Sequence, residues 1–81
     1  MKLSYSERFQ KSFRRAPAAV QKAFAKQAGL LLENLQHPSL RAKKCDEANN
    51  IWQGRVNKDW RFYFSIEGDE YRLHDIMAHP K

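Results

Sequence analysis

Two arginines that flank a short polar turn are the first residues in this sequence that could do chemistry. If residues 57–59 form a three-residue hairpin loop, Arg55 faces Arg61 across two strands. Like charges directly opposite each other destabilise a sheet by a few tenths to about 1 kcal/mol. An anion between them would remove that repulsion, and the guanidinium fork matches two phosphate oxygens. The pair predicts a phosphodiester site, unless both arginines are merely solvated or paired with acids such as Asp59 or Asp75.

The last strand offers a histidine for proton transfer. Strict alternation of sides along this strand would bury the charge of Asp75 and expose Ile76, which is energetically unfavourable. A β-bulge near His74 reverses this order and brings His79 to the face that carries Arg61. Because imidazole titrates near neutrality, His79 is the predicted general acid or base. The competing interpretation is a frayed surface residue near the end of the chain.

Further side chains are candidates for holding a nucleic-acid strand. Tyr63 shares a face with Arg61 in the predicted strand and could stack on a base, although a strand tyrosine also serves packing. His74 would flank the same region from the bulge, or have a structural role. The remaining candidates for holding such a strand are basic: Arg41, Lys43, Lys44 and Lys58.

The first half of the sequence predicts one strand and two helices. Residues 2–5 alternate polar and apolar, as in a short half-buried strand. Ser6 is a good N-cap for a helix that ends near Arg15. A second helix is expected from Pro17 to about Gln36, where the sequence His-Pro stops it. Together the helices form an αα-hairpin with an apolar face that needs a sheet to cover it.

The second half predicts the sheet. Residues 40–45 are an expected edge strand, and residues 51–56 and 60–66 alternate with period two. A last strand begins near Tyr71. The fold class is therefore α+β: a short N-terminal strand, an αα-hairpin, and then a three- to four-stranded antiparallel sheet with both helices on one face.

Composition limits the possible classes of protein. The chain has 81 residues, which predicts a single domain over 1–81, and a net charge of +6 with pI ≈ 9.8. Residues 1–44 hold ten basic and two acidic residues, whereas residues 45–81 hold five and seven. The positive field therefore belongs to the helices and the segment after them, and it favours a polyanion or an acidic protein as partner.

Other classes are disfavoured by what the sequence lacks. Cys45 is the only cysteine, so neither a disulfide framework nor a cysteine zinc cluster is expected. Three scattered histidines and the lack of a glycine-rich phosphate loop predict no metal or nucleotide cofactor. With no apolar run of signal-peptide or membrane-span length, we expect a cytoplasmic protein.

Five short segments spread over nearly the whole chain carry a family resemblance. They are residues 9–13 (FQKSF), 37–41 (HPSLR), 51–56 (IWQGRV), 60–62 (WRF) and 76–79 (IMAH). Each segment alone is weakly specific, and the match lies in their combination and order. In this combination the chain resembles the RelE/ParE superfamily of toxins from type II toxin-antitoxin systems.

The resemblance implies a microbial-ribonuclease-like fold and a cognate antitoxin as partner. In the RelE-like branch it implies cleavage of mRNA in the ribosomal A site, without a metal, by attack of a 2′-hydroxyl on the adjacent phosphate. By position, Arg61 and Arg55 match basic residues of the family, and His79 matches its C-terminal histidine. The glutamate that some members use as a base has no convincing counterpart, and Pro80-Lys81 replaces the terminal tyrosine of others.

Two alternatives remain open at this point. The ParE-like branch shares the fold and inhibits DNA gyrase, which requires no catalytic histidine. A non-catalytic nucleic-acid-binding module would also fit, because the positive charge alone would suffice for it.

Overall fold

The structure is a computed structural model, and it describes residues 1–79. Its elements are β1 (Lys2–Tyr5), α1 (Glu7–Arg15), α2 (Ala18–Glu33), a 3₁₀ turn (Pro38–Leu40), β2 (Lys43–Asp46), β3 (Ile51–Arg55), β4 (Trp60–Glu67) and β5 (Glu70–Ala78). No helix within this described part is long and apolar enough to cross a membrane.

The five strands form one sheet in the order β1-β5-β4-β3-β2. Strands β2, β3, β4 and β5 pair antiparallel with one another in that order, as predicted. Strand β1 joins the other edge in parallel with β5, so the whole sheet is mixed. The predicted α+β class is confirmed. The parallel pairing of β1 was not predicted, because alternation along a strand does not identify its neighbour.

The core lies between the helices and one face of the sheet. The ring of Phe24 on α2 meets the ring of Phe62 on β4 edge-on, with centroids 5.4 Å apart. Phe62, Phe64 and Leu73 have no exposed surface. The opposite side of the sheet, called the open face below, carries the polar residues that alternate with these, including Arg55, Arg61, Tyr63 and Ser65.

The first helix begins where the sequence predicts, and its cap also reaches the sheet. The hydroxyl oxygen of Ser6 accepts a hydrogen bond from the backbone N–H of Phe9 at 3.0 Å, which caps α1. The same hydroxyl donates to the carbonyl of His74 on β5 at 3.0 Å. One serine therefore starts the helix and docks it on the last strand.

The second helix ends earlier than predicted. It stops at Glu33 rather than near Gln36, because Asn34 adopts an extended conformation and its side-chain oxygen accepts from the N–H of Gln36 at 2.9 Å. The expected strand over 40–45 is also shifted. Leu40 is buried in the 3₁₀ turn, Arg41 takes a left-handed conformation, and β2 occupies Lys43–Asp46.

The inferred bulge in the last strand is confirmed. Tyr63 pairs with Asp75 and Phe64 pairs with Leu73, so His74 is the extra residue on β5. Beyond the bulge the alternation is reversed, and Ile76 is 1% exposed on the core side. The bulge thus sets the side of the sheet on which the C-terminal half of β5 presents its residues.

Candidate functional site

The two arginines lie side by side on the open face. Arg55 and Arg61 are direct cross-strand partners, as the three-residue loop predicted. The Nε of Arg55 donates to the carbonyl oxygen of Asn57 at 3.2 Å, and Nη1 of Arg61 donates to the same oxygen at 2.7 Å. Nη1 of Arg61 also donates to the carbonyl of Trp60 at 2.9 Å. One loop carbonyl therefore holds two cationic groups together.

Most of the hydrogen-bond donors of this pair remain available. Within residues 1–79, the Nη1 and Nη2 groups of Arg55 and the Nε and Nη2 groups of Arg61 make no hydrogen bond. Arg8 forms an ion pair with Asp75, and Lys44 forms one with Glu47. A guanidinium with unused donors beside another one is a chemically apt site for phosphate oxygens.

The hairpin loop also contacts the end of the last strand. The backbone N–H of His79 donates to the carbonyl of Asp59 at 2.7 Å, and the His79 residue is exposed. Lys58 is exposed at the tip of the same loop. The loop therefore brings four predicted site residues into one neighbourhood: Arg55, Lys58, Arg61 and His79.

Two further candidates lie in the next row of the open face. Tyr63 is half-buried, with Gln53 of β3 on one side and Asp75 of β5 on the other. Lys43 pairs with Gln53 from the edge strand. A row of lysine, glutamine and tyrosine thus runs alongside the arginine pair, and it combines a cation with an aromatic ring.

His74 is engaged in a network of side chains on the open face. Its Nε2 lies 2.8 Å from the hydroxyl of Ser65, and that hydroxyl donates to Glu67 Oε2 at 2.8 Å. Because the single hydroxyl proton goes to the carboxylate, His74 is assigned the tautomer with hydrogen on Nε2. This chain of contacts fixes the bulge and directs the His74 ring toward Ser65.

The other two candidates lie apart from the loop. Lys44 pairs with Trp52 on the helix side of the sheet, where its Nζ is 6.0 Å from the centre of the indole ring. Its Nζ is also 3.6 Å from a carboxylate oxygen of Glu47. Arg41 is exposed in the left-handed turn before β2. Lys43 therefore lies on the open face, whereas Lys44 lies on the helix side of the sheet.

Asp75 is not the partner of the arginine pair. Its carboxylate is 3.2 Å from Nε of Arg8 on α1, and it also accepts from the backbone N–H of Ile76 at 2.8 Å. The alternative in which Asp75 neutralises Arg55 or Arg61 is therefore wrong. The reason is that α1 places its own arginine next to this carboxylate.

A residue that the sequence analysis missed supports β3 from the helix side. The side-chain amide of Gln27 is buried and donates to the carbonyl of Arg55 at 2.7 Å and to that of Ser39 at 3.0 Å. The signal was present: Gln27 stands three residues after Phe24 and four before Leu31, within the apolar stripe of α2. A polar residue at a core position has to find hydrogen-bond partners there.

We expect Gln27→Ala to lower the free energy of unfolding by roughly 1–3 kcal/mol, because it removes the donor from two carbonyl groups. The matched control is Gln10→Ala, since Gln10 also donates to a carbonyl, that of Tyr5 at 3.3 Å, but is exposed. For this control we expect a change within about 0.5 kcal/mol. Urea unfolding curves measure both, and equal effects would contradict the supporting role of Gln27.

The described side chains offer cations and hydrogen-bond donors at the loop. Residues 1–79 contain no group of three or more His, Cys, Asp or Glu side chains placed to hold a metal ion. The arrangement can bind an anion between Arg55 and Arg61 and stabilise negative charge that develops on it.

Comparisons with known proteins identify structures that share the fold of this chain. No protein-family model matches the sequence, and no curated protein matches it either. Solved structures do match in shape. A YoeB/ParE toxin from Agrobacterium tumefaciens superimposes with a TM-score of 0.81 at 13% identity, over 99% of this chain and 100% of that one.

Two more solved structures belong to the same group of folds. YafQ from E. coli gives a TM-score of 0.79 at 17% identity, over 95% of this chain and 91% of that one. The RelE chain of an archaeal RelE-RelB complex from Pyrococcus horikoshii gives a TM-score of 0.77 at 13% identity, over 95% of this chain and 92% of that one. The fold is therefore that of RelE/ParE-like toxins.

Proposed function

We propose that this chain is the toxin of a toxin-antitoxin pair and that it cleaves mRNA on the ribosome. Its fold is that of YoeB, YafQ and RelE. The proposed chemistry rests on one observation, the pair formed by Arg55 and Arg61. Both arginines donate to the same loop carbonyl, and the loop contacts the end of β5. This arrangement supports binding of one phosphodiester group beside a histidine.

The proposed reaction is an internal transesterification of RNA. The 2′-oxygen forms a bond to the adjacent phosphorus while the bond from phosphorus to the 5′-oxygen breaks. The proton of the 2′-hydroxyl goes to a base, and the leaving 5′-oxygen receives a proton. The products are a 2′,3′-cyclic phosphate and a 5′-hydroxyl end, and the proton balance closes without a metal or other cofactor.

The residues take separate roles in this proposal. Arg55 and Arg61 stabilise the negative charge that grows on the phosphate oxygens in the transition state. His79 transfers one of the two protons as general base or acid. Lys58 and Tyr63 hold the strand on either side of the arginine pair, by charge and by stacking.

The more distant candidates act differently. Lys43 adds a positive charge to the open face beside the arginine pair. His74 fixes the bulge that determines on which side of the sheet the end of β5 presents its residues. We assign Arg41 and Lys44 to long-range attraction of RNA, because they lie away from the loop. These roles place the proton transfer and charge stabilisation on few residues, while most of the net charge serves association.

The proposed protein partner is a cognate antitoxin. The solved RelE of P. horikoshii and YafQ of E. coli are in RelE-RelB and DinJ-YafQ complexes. In this chain the surplus of positive charge lies in residues 1–44, which favours an acidic partner. An apolar groove of about 660 Å³ between α1 and α2 lies in that half and is lined by Phe9, Phe13 and Leu32, among others. We place the protein in the cytoplasm, where the ribosomes are.

Mapping of mRNA 5′ ends in a translating system tests the proposed function. We expect the wild-type protein to produce new 5′-hydroxyl ends on ribosome-bound mRNA. His79→Ala is expected to reduce their formation by about 10²–10⁴-fold, the range for loss of a general acid or base. The variant should keep the unfolding midpoint of the wild type, because His79 is exposed and contacts the loop through its backbone.

Two results would contradict the ribonuclease proposal. One is the absence of new 5′ ends at concentrations that stop translation. The other is inhibition of gyrase supercoiling that survives His79→Ala, which would favour the ParE-like alternative. RNA binding without cleavage in the same system would favour the non-catalytic module.

A further inference from the structure

The loop between β3 and β4 contacts every residue to which we assign a chemical step. The carbonyl of Asn57 accepts from Arg55 at 3.2 Å and from Arg61 at 2.7 Å. The carbonyl of Lys58 is 3.4 Å from Nη1 of Arg61, and the carbonyl of Asp59 accepts from the N–H of His79 at 2.7 Å. Three consecutive carbonyl groups thus organise the site through the backbone.

One side chain shapes this loop. The Oδ1 of Asn57 accepts from the backbone N–H of Asp59 at 2.9 Å and from that of Trp60 at 2.9 Å. This is an Asx turn, in which a side-chain oxygen replaces a backbone acceptor and fixes the direction of the following peptide groups. The orientation of the Asn57 carbonyl is therefore set by the side chain of the same residue.

We infer that Asn57 is the positioning residue of an anion site that is formed before any substrate binds. The inference rests on the proposed function for its substrate, a phosphodiester of RNA. Asn57 does not touch the phosphate. It holds its own carbonyl where two guanidinium groups share it, so that their unused donors face one anion.

Electrostatics explains why such a residue is needed. Two guanidinium groups on directly opposed residues repel each other and would otherwise take up separate rotamers. A shared carbonyl oxygen with its partial negative charge offsets part of this repulsion and limits both side chains to one region. Binding then loses less side-chain entropy, which is how preorganisation raises affinity.

Inorganic phosphate is the probe for this site, because it offers the same oxygens as the substrate and needs no ribosome. We would titrate the full chain with phosphate at low ionic strength and follow the backbone amide and arginine Nε–H signals by NMR. For Asn57→Ala we expect phosphate binding to weaken on the order of tenfold. Asn57→Ser keeps an oxygen acceptor on a shorter side chain, and we expect its phosphate affinity to lie between those of the wild type and Asn57→Ala.

The chain supplies a matched control for the loss of an Asx turn. Asn34 also accepts a backbone N–H, that of Gln36 at 2.9 Å, but it lies at the end of α2. Asn34→Ala should lower the unfolding midpoint about as much as Asn57→Ala while leaving phosphate affinity at the wild-type value. A purely structural role of Asn57 would change stability without this difference in affinity.

The outcomes separate this inference from the proposed function. If Asn57→Ala binds phosphate like the wild type while the double variant Arg55→Ala with Arg61→Ala binds weakly, the positioning role is wrong. If the double variant binds like the wild type, the anion site itself is wrong. If phosphate binding follows our expectation but ribosomal mRNA is not cut, the positioning role stands and the ribonuclease function fails.

Discussion

Arg61→Ala is expected to lower the rate of mRNA cleavage by about 10²–10³-fold, the loss that follows removal of one preorganised donor to a developing anion. Arg61 lies opposite Arg55 and is held by the carbonyls of Asn57 and Trp60, so in the proposed reaction its guanidinium would bind the phosphate with little reorganisation. Single-turnover cleavage on programmed ribosomes, with the protein in excess, measures this rate. The cleavage rate of Arg61→Lys should lie between those of the wild type and Arg61→Ala, because lysine keeps the positive charge but lacks the planar guanidinium group.

Arg72 provides the control for this prediction. It is an arginine on the same face of the sheet, opposite Ser65, and its guanidinium is 3.5 Å from the hydroxyl of Ser4 at the far edge. Arg72→Ala removes the same charge but lies away from the loop, so we expect it to slow cleavage only modestly, and less as salt is added. Equal losses for the two variants would show that the sheet acts only through its net charge.

The register around the arginine pair was predictable from the sequence alone. A three-residue loop over 57–59 admits one pairing that keeps Trp52, Phe62 and Phe64 on the same side, and a slip by one residue would place Trp52 on the face opposite to the two phenylalanines. The bulge at His74 followed from the same reasoning, because a charge at Asp75 and an apolar side chain at Ile76 needed to change sides. Alternation and burial are strong constraints when large side chains are involved.

The contacts that hold the site together were not predictable in this way. Hydrophobic periodicity places Gln27 on the buried face of α2, but the carbonyl groups that its amide reaches depend on tertiary approach. The contacts of the shared Asn57 carbonyl depend in the same way on the rotamers of Arg55 and Arg61. The early end of α2 has a similar cause. A local side-chain contact of Asn34 prevailed over a proline stop signal four residues later.

A large effect on stability is expected at Gly54. A Cβ atom built on this residue would lie 2.3 Å from Cζ of Phe62, and 2.7 and 2.8 Å from the two adjacent ring carbons. Phe62 is the cross-strand partner of Gly54, has no exposed surface and packs against Phe24. The ring therefore rests on the backbone of β3, and this close approach requires the absence of a side chain.

Gly54→Ala should lower the free energy of unfolding by roughly 1–3 kcal/mol, the range for overpacking a filled core, as measured by urea unfolding. The opposite sign is expected for Gly29→Ala. A Cβ there meets nothing within 4 Å, and alanine is favoured over glycine in a helix by about 0.5–1 kcal/mol. An increase in stability at Gly54 would show that Phe62 does not rest on this backbone.

A second substitution tests whether the Phe62 ring causes the loss of stability in Gly54→Ala. In Gly54→Ala with Phe62→Leu, the smaller side chain leaves room for the new methyl group, so the loss should be less than the sum of the two single losses. Gly54 comes directly before Arg55 in β3, and Phe62 comes directly after Arg61 in β4. A displacement of the Phe62 ring is therefore expected to shift the arginine pair as well. We therefore expect Gly54→Ala to weaken phosphate binding, and we expect the loss of affinity in the double variant to be smaller than the sum of the two single losses as well. This result would link the packing of the core face to the geometry of the open face.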